Sequence, residues 1–209
     1  MTFEKLKPLA FELMGNRKAH LQREKGGIYY HGERVAKTVI ILRKILLPSD
    51  ESKDEILKIA ALFHDIGKGI EPHDKYGATL AEKALKDILP SPMLDEIRDL
   101  ISLHCDRRPQ NNTYSETVKL LQDADILDHF GAYSVWVDFL YSAHTERNII
   151  KTANYNVSRW EKCYTNNRDL LNYDISKKIL NEKATYISKF YSRLQVECVG
   201  DIVNLDKLT

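Results

Sequence analysis

The chain contains an apolar segment that ends in an imidazole directly beside a carboxylate, at His64 and Asp65. The residues before this pair, Ala60 to Phe63, are all apolar, so the pair is expected to be buried. A buried imidazole and carboxylate cost several kcal/mol without partners, whereas a divalent cation satisfies both together. Because neighbouring helical residues point about 100° apart, both reach one cation only at a helix end or across a cleft. Gly67 marks such a helix end. The alternative to a metal site is a structural histidine at His64 that pairs with its neighbour Asp65.

Two other segments place groups of the same kind in helical surroundings. His31 begins an amphipathic segment upstream of the pair. Downstream, Asp125 lies in an acid-containing apolar segment, with Leu121, Ala124 and Ile126 around it. Both segments strengthen the interpretation of the histidine and aspartate pair as part of a metal site.

In order along the chain, His31, His64-Asp65 and Asp125 resemble the signature of HD-superfamily phosphohydrolases, over about residues 25–135. Within that superfamily the chain is most similar to small uncharacterised bacterial HD-domain hydrolases, in which Asp-Ala-Asp is followed by Leu-Asp and Gly-Ala. The resemblance implies an all-α, HD-domain helical bundle and a divalent cation held by His31, His64, Asp65 and Asp125. The flanking matches are Arg34-Val35, Ala60-Ala61-Leu62-Phe63, Asp123-Ala124-Asp125, Leu127-Asp128 and Gly131-Ala132.

Two more histidines fall at positions that carry second-metal ligands in similar proteins. His73 and His104 match ligands of the five-histidine-type HD subgroups, whereas in similar mononuclear members these positions face the substrate. The alternatives are a hydrogen-bonded helix end for His104 and an exposed side chain for His73. Cys105 follows His104 directly, and we do not include it among the expected ligands because cysteine is so often simply buried.

Three basic residues are candidates for binding substrate phosphate. Lys68 lies about one helical turn after Asp65, close enough to hold phosphate oxygens, although a helix-terminal lysine complementing the dipole is the alternative. Arg107 and Arg108 form a second candidate anion clamp because guanidinium binds phosphate in a bidentate manner. A solvated basic loop is their alternative. No function is assigned to the isolated histidines His20, His129 and His144.

The resemblance implies metal-assisted phosphoester hydrolysis, in which the metal lowers the pKa of its bound water and the resulting hydroxide attacks phosphorus. Asp65 is the expected ligand and proton acceptor. Ligation by nitrogen and oxygen suits iron or manganese, with nickel, cobalt, magnesium and zinc also compatible. The expected substrate is a nucleotide or another small phosphate ester. The absence of Gly-Tyr-Pro after His104 argues against the cyclic-di-nucleotide phosphodiesterase branch.

Two alternatives to this function stay open. Some HD proteins with a ligand set like His31, His64, Asp65, His73, His104 and Asp125 use paired irons for oxygenation, and ligands alone cannot separate the two chemistries. The other alternative is a non-catalytic helical module whose metal is structural.

The elements that must position these residues are predicted to be helices, because apolar residues recur at helical spacing and no strand-type alternation is evident. Capping boxes are predicted at Ser52 with Glu55 and at Thr113 with Glu116, and Ser91-Pro92 predicts a further helix start. The segment from Asn154 to Asn172 is ambiguous. The predicted helices are Phe3 to Glu24, Tyr30 to Leu47, Lys53 to Ile66, Lys75 to Leu89, Pro92 to His104, Tyr114 to His129, Ala132 to His144 and Ile175 to Val199.

Bulk properties limit the class of protein. The 31 basic and 30 acidic residues nearly balance, so no general attraction to nucleic acid or anionic membrane is expected. The most apolar stretch, Ile56 to Phe63, is far below the roughly 20 residues that span a bilayer. The amino terminus lacks a secretory apolar run, which makes cytoplasmic residence the default. Three cysteines without a CxxC pair are expected to be reduced thiols.

Residues 1–209 are expected to form a single HD domain. Its core covers about residues 25–135, and a helical carboxy-terminal extension covers about residues 150–209.

Overall fold

A computed structural model describes residues 2–108 and 113–203 of the chain. These residues form nine helices and no strand, which confirms the all-α prediction. The helices are α1 (Thr2–Met14), α2 (Gly27–Leu46), α3 (Asp54–Phe63), α4 (His73–Leu85), α5 (Ser91–Leu103), α6 (Glu116–Asp128), α7 (Ala132–His144), α8 (Ile149–Arg168) and α9 (Asp174–Glu197).

The central element is α3, which packs against α1, α2, α5 and α6. Seven of its ten residues are buried, because its sequence is apolar on nearly every side. A helix of this kind has to end inside the protein, and the residues that follow it therefore emerge into the core. For this reason His64, directly after α3, has no solvent exposure.

Helix α2 approaches α3 closely at a glycine. A Cβ atom on Gly32 would lie 2.5 Å from the carbonyl oxygen of Leu62. Such a distance is shorter than a carbon–oxygen contact allows, so only glycine permits this backbone approach. The approach brings His31, the neighbour of Gly32, to the end of α3.

Helix α6 is buried along most of its length and carries acids that point in different directions. Asp123 faces the segment before α9, where its Oδ1 accepts hydrogen bonds from the backbone and side-chain nitrogens of Asn172, both at 2.8 Å. Its Oδ2 accepts from the backbone nitrogen of Tyr173 at 3.1 Å. The carboxylate therefore satisfies backbone donors at the start of α9 and attaches that helix to α6.

We expect Asp123→Ala to destabilise the fold by about 3 kcal/mol, since three hydrogen bonds to a buried carboxylate are lost and their donors are left unpaired. Urea unfolding followed by circular dichroism measures the change. Asp174→Ala is the control, because Asp174 lies in the first turn of α9 with an exposed side chain. Equal stability of both variants would contradict the role of Asp123 in attaching α9.

Several predicted helix boundaries differ from the structure. The first helix ends at Met14 and not at Glu24; a non-helical segment with Gly26 at a φ of 76° then leads into α2. Both predicted capping boxes are wrong. Glu55 accepts from the backbone nitrogen of Phe3 at 2.6 Å, so its carboxylate joins α1 to α3.

The predicted starts of α5 and α6 and the segment from Asn154 to Asn172 also differ in part from the structure. Ser115, not Thr113, caps α6 by accepting from the backbone nitrogen of Val118 at 3.4 Å. Helix α5 has proline in its first turn as predicted, but it begins at Ser91 with Pro90 at the cap position, so the prediction of Ser91 as the cap is wrong. Residues 154–168 of the ambiguous segment belong to α8, whose cap Asn148 accepts from the backbone nitrogen of Lys151 at 2.9 Å, and residues 169–172 lie between α8 and α9.

Helices α7, α8 and α9 pack on one another, and α9 also contacts α6. Tyr191 of α9 is fully buried and donates a hydrogen bond to Asp138 of α7 at 2.7 Å. Within the described parts of the chain, no helix has both the length and the apolarity needed to cross a bilayer.

Candidate metal centre

The ends of several helices meet at one buried place. His31 lies in the first turns of α2, His64 and Asp65 follow α3, His104 follows α5, and Asp125 lies near the end of α6. All five residues are buried, although each carries an ionisable side chain. Buried groups of this kind need partners or a cation, because their desolvation is costly.

Four of these residues place donor atoms close together. The Nε2 atom of His31 lies 2.9 Å from Oδ1 of Asp125 and 3.2 Å from Nε2 of His64. The Nε2 atom of His64 lies 3.6 Å from Oδ1 of Asp125 and 3.8 Å from Oδ1 of Asp65. Oδ2 of Asp65 lies 3.9 Å from Nε2 of His31. Donor atoms about 2.1 Å from one cation lie about 3.0 Å apart when adjacent and about 4.2 Å apart when opposite, and these separations fall between about those limits.

The tautomers of His31 and His64 show that a cation is needed where their Nε2 atoms meet. Nδ1 of His64 faces the carbonyl oxygen of Ala61 at 2.7 Å and must donate to it, because a carbonyl only accepts. Nδ1 of His31 likewise donates to Oδ2 of Asp128 at 2.7 Å. Each neutral ring therefore turns the lone pair of Nε2 towards the other ring and towards carboxylate oxygens. Only a cation, either a proton or a metal ion, makes such a contact favourable, and this donor set fits a divalent metal.

The pKa values of the groups follow the same electrostatics. Burial lowers the pKa of His31, but hydrogen bonds to Asp125 and Asp128 outweigh burial and raise the pKa to about 9. Burial lowers the pKa of His64, which keeps that ring neutral. The neighbouring positive groups hold the pKa of Asp65 and of Asp125 well below the ordinary range, although burial alone would raise both.

A second group of donors lies on the other side of Asp65. Its Oδ1 atom is 3.4 Å from Nε2 of His73 and 3.7 Å from Nε2 of His104. Sγ of Cys105 lies 3.4 Å and 3.2 Å from the same two nitrogens. Lys68 reaches this group as well, with Nζ 3.4 Å from Oδ1 of Asp65 and 3.3 Å from Nε2 of His73. The structure thus brings Lys68 and both additional histidines to the site.

The two arginines proposed as an anion clamp lie in different surroundings. The guanidinium of Arg107 donates to Oδ2 of Asp125 through Nη2 and to the carbonyl oxygen of His104 through Nε at 3.1 Å. Arg108 points outwards, with 68% of its side chain exposed, and pairs with Asp106 at 3.0 Å. Only Arg107 of the two reaches the donor cluster.

Sequence reasoning missed residues around Asp125 that helical spacing could have revealed. His129, to which no function was assigned, lies one turn after Asp125 and places Nε2 3.3 Å from its Oδ1. Asp128 lies three residues after Asp125 and orients His31, while Arg34 donates to both oxygens of Asp128 at 2.8 Å. The signal was the spacing of three and four residues along α6, which puts these side chains on the face of Asp125.

We expect Asp128→Asn to lower metal affinity about tenfold to a hundredfold, because the carboxylate that fixes the ring of His31 is lost. Competition with a metal-binding dye measures the affinity. Asp174→Asn makes the same chemical change at an exposed position of α9 and serves as the control. An affinity for Asp128→Asn equal to that of the control would mean that the hydrogen bond does not support metal binding.

A cavity of about 320 Å³ opens beside His129, between α7, α8 and α9. Aromatic and guanidinium groups line it together with Asn156, whose buried side-chain amide nitrogen has no hydrogen-bond partner among the described residues. A volume of this size is at the lower end of the range for small-ligand pockets. The aromatic and cationic groups are Tyr133, Tyr141, Trp160, Arg23 and Arg159.

Comparison with known proteins agrees with the motif resemblance. Residues 28–129 match the family model of the HD domain. A search of curated protein sequences finds no significant match.

Solved structures share the fold over nearly the whole chain. An HD-superfamily hydrolase from Bacillus thuringiensis is 20% identical with a TM-score of 0.69, covering 96% of this chain and 98% of its own. A predicted HD-superfamily hydrolase from an uncultured Thermotogales bacterium is 19% identical with a TM-score of 0.62, covering 93% and 92%. Bacillus subtilis YpgQ in complex with ADP is 14% identical with a TM-score of 0.62, covering 95% and 98%. Identities this low establish the fold and not the substrate.

Proposed function

We propose that this chain, a member of the HD superfamily, is a metal-dependent phosphohydrolase that acts on a nucleotide or another small phosphate ester. The observation that carries the proposal is the meeting of the Nε2 atoms of His31 and His64 with the carboxylates of Asp65 and Asp125. These four residues would hold a divalent cation, with iron or manganese preferred by nitrogen and oxygen donors.

A divalent cation held there would supply Lewis acidity, lowering the pKa of a water molecule towards neutrality and offsetting phosphate charge. The residues of the chain have the remaining tasks. Asp65, whose carboxylate faces both donor groups, can accept a proton from the attacking water. Asp128 keeps the proton of His31 on Nδ1, which leaves Nε2 free to bind. Lys68 and Arg107 bring positive charge to the same place and would bind phosphate oxygens.

The cavity beside His129 supports a substrate with an aromatic organic part. Rings such as Tyr133 and Trp160 can stack on a nucleobase, and Arg23 and Arg159 suit its phosphates. The amide of Asn156 offers a donor to a base or sugar oxygen. Since His129 lies between the cavity and Asp125, phosphate could reach the metal position while the base occupies the cavity.

The proposal is tested by measuring phosphate and pyrophosphate release from nucleotides and sugar phosphates, with protein reconstituted separately with iron, manganese, cobalt, nickel, magnesium and zinc. We expect metal-dependent turnover of at least one phosphate ester that a chelator abolishes. If no phosphate ester is turned over with any metal bound, the hydrolase proposal fails.

A second candidate function, oxygenation by paired irons, follows from one observation. Oδ1 of Asp65 lies within 3.7 Å of both additional imidazoles, so six residues are available for two ions. Oxygen consumption by the ferrous protein in the same substrate screen, without phosphate release, would favour this function over hydrolysis.

We expect Lys68→Ala to lower kcat/KM about a hundredfold while the first metal position, at His31 and His64, stays filled, because lysine supplies charge and not a ligand. Steady-state kinetics and metal analysis on the same samples check both halves. Lys86→Ala, an exposed lysine after α4, is the control. Unchanged kinetics at full metal content would make Lys68 a structural partner of Asp65 only.

A further inference from the structure

Three donor atoms lie within 4.8 Å of one another beside the proposed metal centre, and a carboxylate oxygen adjoins two of them. The three are Nε2 of His73, Nε2 of His104 and Sγ of Cys105, and the oxygen is Oδ1 of Asp65. His73 begins α4, His104 and Cys105 follow α5, and Asp65 follows α3, so three separate segments contribute. The family resemblance implied only nitrogen and oxygen ligands here, whereas this chain also places a sulfur beside them.

Four of the distances among these atoms are those of a tetrahedral site. For zinc, bonds of about 2.1 Å to nitrogen or oxygen and about 2.3 Å to sulfur place neighbouring ligands about 3.4–3.6 Å apart. The sulfur lies 3.4 Å from the nitrogen of His73 and 3.2 Å from that of His104. The carboxylate oxygen lies 3.4 Å and 3.7 Å from the same nitrogens. A cation could therefore bind both imidazoles and the sulfur at these distances, and the carboxylate of Asp65 joins them as it moves closer to the sulfur.

Both imidazoles are held in the tautomer that a ligand needs. Nδ1 of His104 donates to the carbonyl oxygen of Ile101 at 2.7 Å, which leaves Nε2 to face the sulfur. Nδ1 of His73 faces the carboxylate oxygens of Glu71 at 3.1 Å and 3.2 Å, so its proton is held on that side. A carboxylate behind a histidine is the usual outer support of a metal-binding imidazole.

We propose that Cys105 is a thiolate ligand of a second metal position, completed by His73, His104 and the shared carboxylate of Asp65. The proposal rests on the proposed function, because Asp65 belongs to both positions. When the cation binds, the thiol releases its proton to solvent and a sulfur–metal bond forms. A soft sulfur ligand makes this position select zinc over manganese or magnesium, unlike the first position. The ammonium of Lys68, 3.3 Å from Nε2 of His73, must move aside when the second cation enters.

X-ray absorption at the zinc edge tests the proposal on the full chain loaded with two equivalents of zinc. We expect a sulfur neighbour at about 2.3 Å, averaging half a sulfur per zinc. Cys105→Ser should remove this neighbour and weaken the second equivalent at least tenfold in a zinc titration. Cys198→Ser is the matched control, because Cys198 lies at the end of α9, and should retain both properties.

Two results would overturn the proposal. One is a wild-type protein that binds two zinc ions with no sulfur neighbour, and the other is a protein that binds a single zinc with none. Metal-dependent phosphate release in either case would leave the proposed hydrolase function standing. A protein that binds no metal at all would remove both proposals together.

Discussion

Asp125→Ala is expected to reduce turnover at least about a thousandfold and to empty the first metal position. The carboxylate lies 2.9 Å from Nε2 of His31 and 3.6 Å from Nε2 of His64, whereas Asp128 on the same face of α6 is engaged by Nδ1 of His31 and by Arg34. A catalytic metal supplies several kcal/mol of stabilisation to the transition state, and about 4 kcal/mol corresponds to a thousandfold in rate. Metal analysis and phosphate release on the same preparation measure both effects.

The matched control for this variant is Asp123→Ala, two residues earlier on the same helix. Asp123 binds the start of α9 and makes no contact with the donor cluster, so its loss should weaken the fold and spare the metal. Asp125→Ala should show the reverse, with helical content retained by circular dichroism. If Asp125→Ala keeps its metal and its turnover, Asp125 does not belong to the site.

Asp123 and Asp125 show how much of the site could be predicted from the sequence. Both lie in Asp-Ala-Asp, and the resemblance to HD proteins assigns a ligand role only to Asp125. Helical spacing explains why they separate, since residues two apart on a helix point about 200° away from each other. What Asp123 does could not be predicted, because its partners are some 50 residues away on a segment whose conformation the sequence left ambiguous.

Other features depended on how the chain packs in three dimensions. Arg107 reaches Asp125 because the segment after α5 packs against α6, where Gln122 donates to the carbonyl oxygens of Leu103 and Asp106, and no periodicity in the sequence encodes that contact. His129 was within reach of prediction, since the spacing of four residues from Asp125 places both on one face. The predicted capping box at Glu55 failed because the carboxylate satisfies the backbone nitrogen of Phe3, a long-range contact that local capping rules do not consider.

The role proposed for Cys105 could not be predicted from its position in the sequence alone. Its position after His104 was visible, but cysteine is most often a buried apolar side chain, so position alone carried little weight. The structure shows that Cys105 is an exposed residue and that its sulfur lies 3.2 Å and 3.4 Å from two imidazoles. Burial raises the pKa of the thiol, but the two imidazoles outweigh burial and lower the pKa to about 7.

Metal affinity is expected to rise steeply with pH, approaching a thousandfold between pH 6 and pH 9. In the metal-free protein the pKa of His31 is raised to about 9, since the hydrogen bonds to Asp125 and Asp128 outweigh the effect of burial. A metal ion must displace that proton from Nε2, and each displaced proton changes affinity about tenfold per pH unit below the pKa. The carboxylates and His64 add no such requirement, because their pKa values are lowered.

The stability of the metal-free protein should change with pH in the opposite direction. Because the folded pKa of His31 lies above the ordinary value of 6.5, its contribution is fully present below pH 6.5 and is lost as pH rises through about 9. His73 and His104, both raised to about 10, act with the same sign over a slightly higher range. Added metal should therefore raise Tm more at pH 9 than at pH 6.

Thermal unfolding with and without metal, and calorimetric titration in buffers of different ionisation enthalpy, measure the shift in Tm and the released proton. Metal binding that releases no proton at pH 7, with an affinity independent of pH, would show that His31 is not a ligand.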